Sequence, residues 1–422
     1  MSLEADSLPS PEEQAPPSVT FASGGVSWTR VRAPRLLSRL ARGLYAASAV
    51  GAFATVVGGW SELAALGIFG SVIAWPLMIL SYILSLTQTT FAGGLAVSRT
   101  ELVVHGAGST RKFIPLSRIA GAVVVHREVF GAFVPTVEVE LASGDRLTAR
   151  LPDPRAAAAV VRALGFGPGG RRVHVSLAKP TRRLFHPLMG CIAYFVGVFL
   201  TIPRMPSHAM DSLYGLYPLL GLLLYAGLKR LLRAPKVTIG EDGILLERRV
   251  GSTFVPRADI SFVGASGSTL VVERRSGKRD ELRGFALDPA RLLAVAQVVE
   301  ERSKAAPTTA DRFTHYESGG RLLAEWRAHL AQAMNQASYR HNAATVDEAA
   351  AVLHSAEATP EQRVGAALAL RVAGQPKERI RVAVDAAADE RVRAALEAVA
   401  DARDGDVDDP VIEKELKRLL SP

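Results

Sequence analysis

KFIPLSRI, residues Lys112–Ile119, returns later in the chain as TFVPRADI, residues Thr253–Ile260. The agreement extends outward on both sides. LAVSRTELVVHG (Leu95–Gly106) precedes the first phrase and VTIGEDGILLERR (Val237–Arg249) the second, each reading as strands around a turn. After the phrases come TVEVELASGDRLTARL (Thr136–Leu151) and TLVVERRSGKRDELR (Thr269–Arg283). Both alternate as hairpins, and Ser143-Gly144 is echoed by Ser276-Gly277 at the turn. Each copy then closes on an Asp-Pro pair, Asp153-Pro154 and Asp288-Pro289, opening an apolar-faced helix with proline in its first turn. Four matching places in the same order point to internal duplication. Glu128–Val134 makes the first copy longer than the second.

A long apolar region precedes each copy. Four stretches approach the roughly 20 helical residues that a ~30 Å hydrocarbon core requires. They run about 43–59, 63–86, 185–202 and 213–232. The first is short and rich in Ala and Gly, so a buried soluble helix is its alternative. Ala47, Gly51, Thr55 and Gly59 recur every fourth residue, a small-residue ridge suited to close helix packing. Arg30, Arg32, Arg35, Arg39 and Arg42 precede the first stretch; Arg171, Arg172, Lys179, Arg182 and Arg183 precede the third; Lys229 and Arg230 lie near the end of the fourth, and Arg233 and Lys236 follow it. The positive-inside rule then puts both termini in the cytoplasm of a multi-pass inner-membrane protein. No ionisable residue lies deep within any stretch, which argues against an ion or proton pathway.

Composition agrees with that expectation. Of 422 residues, 48% are hydrophobic, and 50 basic residues outnumber 41 acidic ones for a net charge of +9. Arg clusters beside apolar segments favour an anionic leaflet over nucleic acid as the reason for basicity. The single cysteine, Cys191, excludes an intrachain disulfide. Residues 1–29, rich in Ser, Pro and Glu and without Lys or Arg, read as a disordered tail without the basic region of a signal peptide.

The strand–turn–strand–helix units resemble the bacterial pleckstrin-homology-like domains that follow short membrane hairpins. The resemblance covers roughly residues 90–165 and 235–302. It rests on the turn before Gly243-Ile244-Leu245-Leu246, the FIP and FVP strands, the Ser-Gly hairpins and the closing Asp-Pro helices. It implies a bent antiparallel sheet closed by a C-terminal helix, and it transfers no functional residues.

Residues 303–318 read as a linker. Beyond them the composition turns to Ala, Arg, Glu and Leu with helical period, beginning with a helix over about 321–337. Thr345 with Glu348, and Thr359 with Gln362, have the spacing of capping boxes. EQRVGAALAL (Glu361–Leu370) returns as DERVRAALEA (Asp389–Ala398), so residues 319–422 look like a short HEAT-type array, with an ordinary helical bundle as the alternative. The expected organisation is therefore a tail (1–29), a basic segment and hairpin (30–90), a first PH-like domain (91–170), a second hairpin (171–234), a second PH-like domain (235–302), a linker (303–318) and the helical part (319–422).

Catalytic and cofactor signals are sparse. Gly165–Gly170 has the letters of a dinucleotide motif but follows a helix instead of a strand. Asp404, Asp406, Asp408 and Glu415 match calcium-loop positions, yet Asp409 stands where the glycine is required. The nine histidines form no zinc-type cluster. No catalytic residue, metal or cofactor is expected. Arg111, Lys112, Arg118, Arg274, Arg275, Lys278 and Arg279 are the candidates for anionic headgroup contacts, with a solvated strand face as their alternative. The functional expectation is a non-enzymatic, membrane-anchored scaffold. Its helical tail binds a protein partner, it self-associates through its spans, and it binds no nucleic acid. The rivals are a membrane-embedded enzyme or transporter with a site invisible in one sequence, and an anionic-lipid sensor.

Overall fold

The computed structural model describes residues 19–22, 25–29, 88–91, 93–105, 111–129, 131–167, 169–178, 235–248, 250–284, 287–304, 310–335, 345–355, 358–402 and 410–420, with isolated helical positions within 37–50, 73–80 and 223–227. The chain forms two compact units, residues 1–28 with 90–167, and residues 29–89 with 168–422.

The first unit is built on β1 (Val19–Ala22), β2 (Gly25–Thr29), β3 (Gln88–Phe91), β4 (Gly94–Val97), β5 (Glu101–His105), β6 (Arg111–Pro115), β7 (Ile119–Val129), β8 (Ala132–Leu141) and β9 (Arg146–Arg150), closed by helix α1 (Pro154–Ala163). Two sheets result, in the orders β1-β4-β5-β6 and β3-β2-β9-β8-β7. Strands β1 and β2 come from the segment whose composition suggests disorder. Their neighbours β4 and β9 are supplied by distant sequence. A 3-10 turn, Leu116–Arg118, carries the chain from one sheet to the other. Alternation places Leu95, Leu102, Ile114, Val123, Val125, Val137, Val139 and Leu147 in the core. Asp153 caps α1 by accepting from the Arg155 N–H, and Ala157, Val160 and Val161 face inward.

The second unit repeats this plan with β10 (Val173–Ser176), β11 (Lys236–Ile239), β12 (Gly243–Glu247), β13 (Ser252–Pro256), β14 (Ile260–Ser266), β15 (Thr269–Arg274), β16 (Arg279–Arg283) and helix α2 (Pro289–Lys304). Its sheets are β10-β11-β12-β13 and β14-β15-β16, with a second 3-10 turn, Arg257–Asp259, between them. Individual bonds recur. Leu116 N–H donates to Thr100 O, and Arg257 N–H to Asp242 O. Ala142 N–H donates to Arg118 O, and Arg275 N–H to Asp259 O. The hairpin glycines Gly144 and Gly277 have φ of +81° and +80°, a backbone region that only glycine enters without cost. Each copy has a register shift directly after its 3-10 turn, at Ile119/Gly121 and at Ile260/Phe262. The extra length of the first copy is a longer hairpin, with β7 and β8 paired out to Val129 and Ala132.

The second unit continues into helices: a 3-10 segment (Ala310–Tyr316), α3 (Leu323–Asn335), α4 (Val346–His354), α5 (Pro360–Val372), α6 (Lys377–Ala386), α7 (Glu390–Asp401) and α8 (Pro410–Leu420). Helix α5 packs against α3, α4 and α7, and α6 against α7. Every residue from Gln362 to Leu370 is buried, so α5 is the hub of the array. Thr359 and Gln362 form a reciprocal capping box at its start, and Thr345 caps α4. Tyr316 is wholly buried, yet its hydroxyl makes no hydrogen bond. Burial pushes its phenol above the ordinary value, with Glu348 adding to the shift. Above pH about 10 the folded state therefore keeps a proton that the unfolded state loses, and stability falls as pH rises. Tyr316→Phe should flatten that alkaline loss in urea titrations at pH 9–11 while leaving stability at pH 7 nearly unchanged.

The structure corrects the expectation of four membrane spans. Among the described residues no helix is long and apolar enough to cross a membrane. The longest helix with both ends described, α2, has 16 residues. At 1.5 Å per residue it reaches about 24 Å, short of the ~30 Å core, and it carries Arg291, Glu300, Glu301 and Arg302. The described architecture is mixed sheet and helix, not a four-span membrane protein. The transmembrane character and the multi-pass inner-membrane location with cytoplasmic termini are withdrawn with it. The four apolar stretches lie largely outside the described residues, as do Cys191 and the acidic loop 403–409.

Candidate functional site

The chemically densest place in the second unit is the β11–β12 turn, Gly240-Glu241-Asp242. It plugs into the corner between α6 and α7. A Gly240 N–H to Gly243 O bond of 2.9 Å closes the turn. The Asp242 carboxylate then accepts from two backbone amides, Ala388 N–H at 2.6 Å and Asp389 N–H at 2.8 Å. Asp389 is the N-cap of α7, so Asp242 also sits at the positive end of that helix. Glu241 N–H donates to Ala386 O at 3.1 Å, and Arg172 N–H to Asp385 O at 2.9 Å. Gly240 is required by space: a Cβ there would lie 2.5 Å from Ala388 N and 2.7 Å from Ala386 O.

Buried charge surrounds the turn. Arg363 on α5 is 1% exposed, and its Nε donates to Leu353 O at 3.1 Å. Its two terminal nitrogens lie 3.8 Å from Glu241 Oε2 and 4.0 Å from Asp242 Oδ2. His354 Nδ1 is 3.9 Å from the same Glu241 oxygen. At such separations the Arg363 guanidinium attracts the two carboxylates as a charge without forming direct hydrogen bonds to them. From α2, the buried Arg302 donates to Ile239 O at 3.3 Å and Arg171 O at 2.8 Å. Burial pulls its guanidinium down to about 10, with Glu241 opposing the shift. Arg291, about three turns earlier along the same helix, donates to Ser176 O at 3.1 Å and Ala178 O at 2.9 Å. Two buried arginines of α2 thus clamp both ends of the β10 segment. The arrangement holds the β module and the array in one orientation. It joins no nucleophile to a base.

The basic residues singled out in the sequence are divided between the two units. Arg111 and Lys112 are exposed on β6 and Arg118 on the following 3-10 turn of the first unit. Arg274 is half-buried, with its Nε 2.7 Å from Asp280, which Arg248 also approaches at 3.2 Å. Arg279 pairs with Glu273 at 3.3 Å. Arg275 and Lys278 are exposed at the hairpin tip. Among the described residues no three His, Cys, Asp or Glu side chains are grouped to hold a metal. Sequence reading missed Glu241, Asp242, Arg291, Arg302, His354 and Arg363. One signal was available: Gln362-Arg363 lies in a run apolar on every side, and a helix of that kind buries its polar residues too.

Removing the Asp242 hook should loosen the corner. Asp242→Ala strips two charge-assisted bonds from buried amides, worth roughly 2–3 kcal/mol. A lowered urea midpoint, with faster hydrogen exchange at the Ala388 and Asp389 amides, is the expected result. Unchanged exchange at those two amides would disprove the hook.

No family model matches this sequence, and no curated protein matches it.

Proposed function

We propose that the protein is a non-enzymatic adaptor: two pleckstrin-homology-like modules combined with a HEAT-like array that binds a protein partner. The observation that carries this reading is the joint of the second unit. Backbone bonds and buried charge fix the array against the second β module, so a ligand held by the array is presented in a set direction. Helical arrays offer a continuous outer surface for such binding. Here that surface exposes large apolar side chains. Val382 on α6 is 54% exposed and Val411 on α8 is 56% exposed. The test is affinity purification of the intact chain against the double variant Val382→Asp/Val411→Asp. Loss of specific co-purifying proteins at unchanged stability supports the adaptor. An identical set of proteins from both forms refutes array-mediated binding.

A further inference from the structure

We propose that the outer edge of β6 in the first unit binds an extended acidic peptide by adding it as a strand. The internal duplication supplies the comparison. Strand β6 and its counterpart β13 each end a four-stranded sheet, and no described strand pairs their outer edges. The counterpart edge reads Ser252-Thr253-Phe254 and carries no cation. There Phe254 is half-buried, because its ring lies over Gly243, where a Cβ would stand 3.0 Å from Cζ. In the first copy the same cross-strand place is held by Glu101, opposite Pro115 as Gly243 is opposite Pro256. A side chain now occupies the seat, and Phe113 is turned out, 56% exposed. Beside it Arg111 and Lys112 are exposed, with Arg118 exposed beyond Pro115. The second copy folds without these features, so the fold does not require them.

The register tells which backbone groups are offered. Leu116 N–H bonds Thr100 O. Hydrogen-bonded pairs alternate along an antiparallel ladder, so Ile114 and Lys112 face β5. Arg111 and Phe113 therefore direct their N–H and C=O groups outward. Proline at position 115 offers only its carbonyl and ends the edge. An added strand would gain backbone bonds at Arg111 and Phe113, apolar contact with the Phe113 ring, and charge pairing with the flanking cations. Like charges disfavour a second copy at this edge, and complementarity selects a strand alternating carboxylates with apolar residues.

The probe is a fluorescein-labelled nonapeptide of alternating glutamate and valine, titrated into the full chain by anisotropy. Saturable binding is expected, weakened about tenfold or more by Phe113→Thr and by Arg111→Glu, with circular dichroism unchanged. Two N-methylated peptides, blocked at odd or at even residues, test strand addition directly. At least one should bind about tenfold more weakly, a loss of ~1.4 kcal/mol. Binding by both methylated forms as tight as that of the unmodified peptide would reduce the contact to charge alone and overturn the proposal. So would absence of peptide binding, whether or not phosphatidylglycerol vesicles sediment with the protein, or a Phe113-dependent dimer in its place.

Discussion

Arg363→Ala should cost the second unit about 3–5 kcal/mol, the loss seen when one member of a buried charge cluster is removed and its partners stay behind. Glu241 is 5% exposed and Asp242 is also nearly inaccessible, so neither carboxylate gains water when the guanidinium leaves. The Leu353 carbonyl loses its donor as well. Urea unfolding at pH 7 measures the loss. The diagnostic comparison is Arg363→Met with Glu241→Gln. Each alone strands a charge, whereas together they remove both, so the double variant should be more stable than the sum of the single losses predicts. Simple additivity would mean that the 3.8 Å approach carries no coupling.

Gly365→Ala should be nearly as damaging. In an open helix this change helps by about 1 kcal/mol. In α5 the new Cβ would overlap the Tyr316 carbonyl oxygen and lie 2.8 Å from Trp326 Cζ2. Neither neighbour yields easily: one is backbone, and the other is an indole that is 1% exposed. A close-packed core resists insertion, so a net loss of roughly 2–3 kcal/mol is expected. Unfolding midpoints, together with Trp fluorescence reporting on Trp326, test it. A stabilised Gly365→Ala variant would show that the 3-10 segment can move aside.

The repeated β plan was legible because its signals are local. Turn glycines, Asp-Pro helix starts and strand alternation act within a few residues, and each recurs in both copies. The helix starts at Thr345 and Thr359 were readable for the same reason. The joint was not: the Asp242–Ala388 bond spans 146 residues, and nothing near either residue announces the other. Asp242-Gly243 could be read only as a turn. Strands β1 and β2 escaped notice because two short apolar runs in a polar tail become strands only when β4 and β9 are beside them. The apolar stretches misled differently. Hydrophobic length reads as a span, and no described helix has the reach and apolarity that such a span requires. Of the seven basic candidates, Arg274 and Arg279 are engaged by Asp280 and Glu273, as alternation allows.

The strand order has a consequence for rebuilding the molecule. Residues 30–87 leave after β2 and return at β3, its neighbour in the sheet. Residues 179–234 lie between β10 and β11, with Ser176 already opposite Lys236. Both gaps are flanked by strands that are neighbours in one sheet, so a short loop spliced across either would keep those strands side by side and yield a shortened chain for crystallisation.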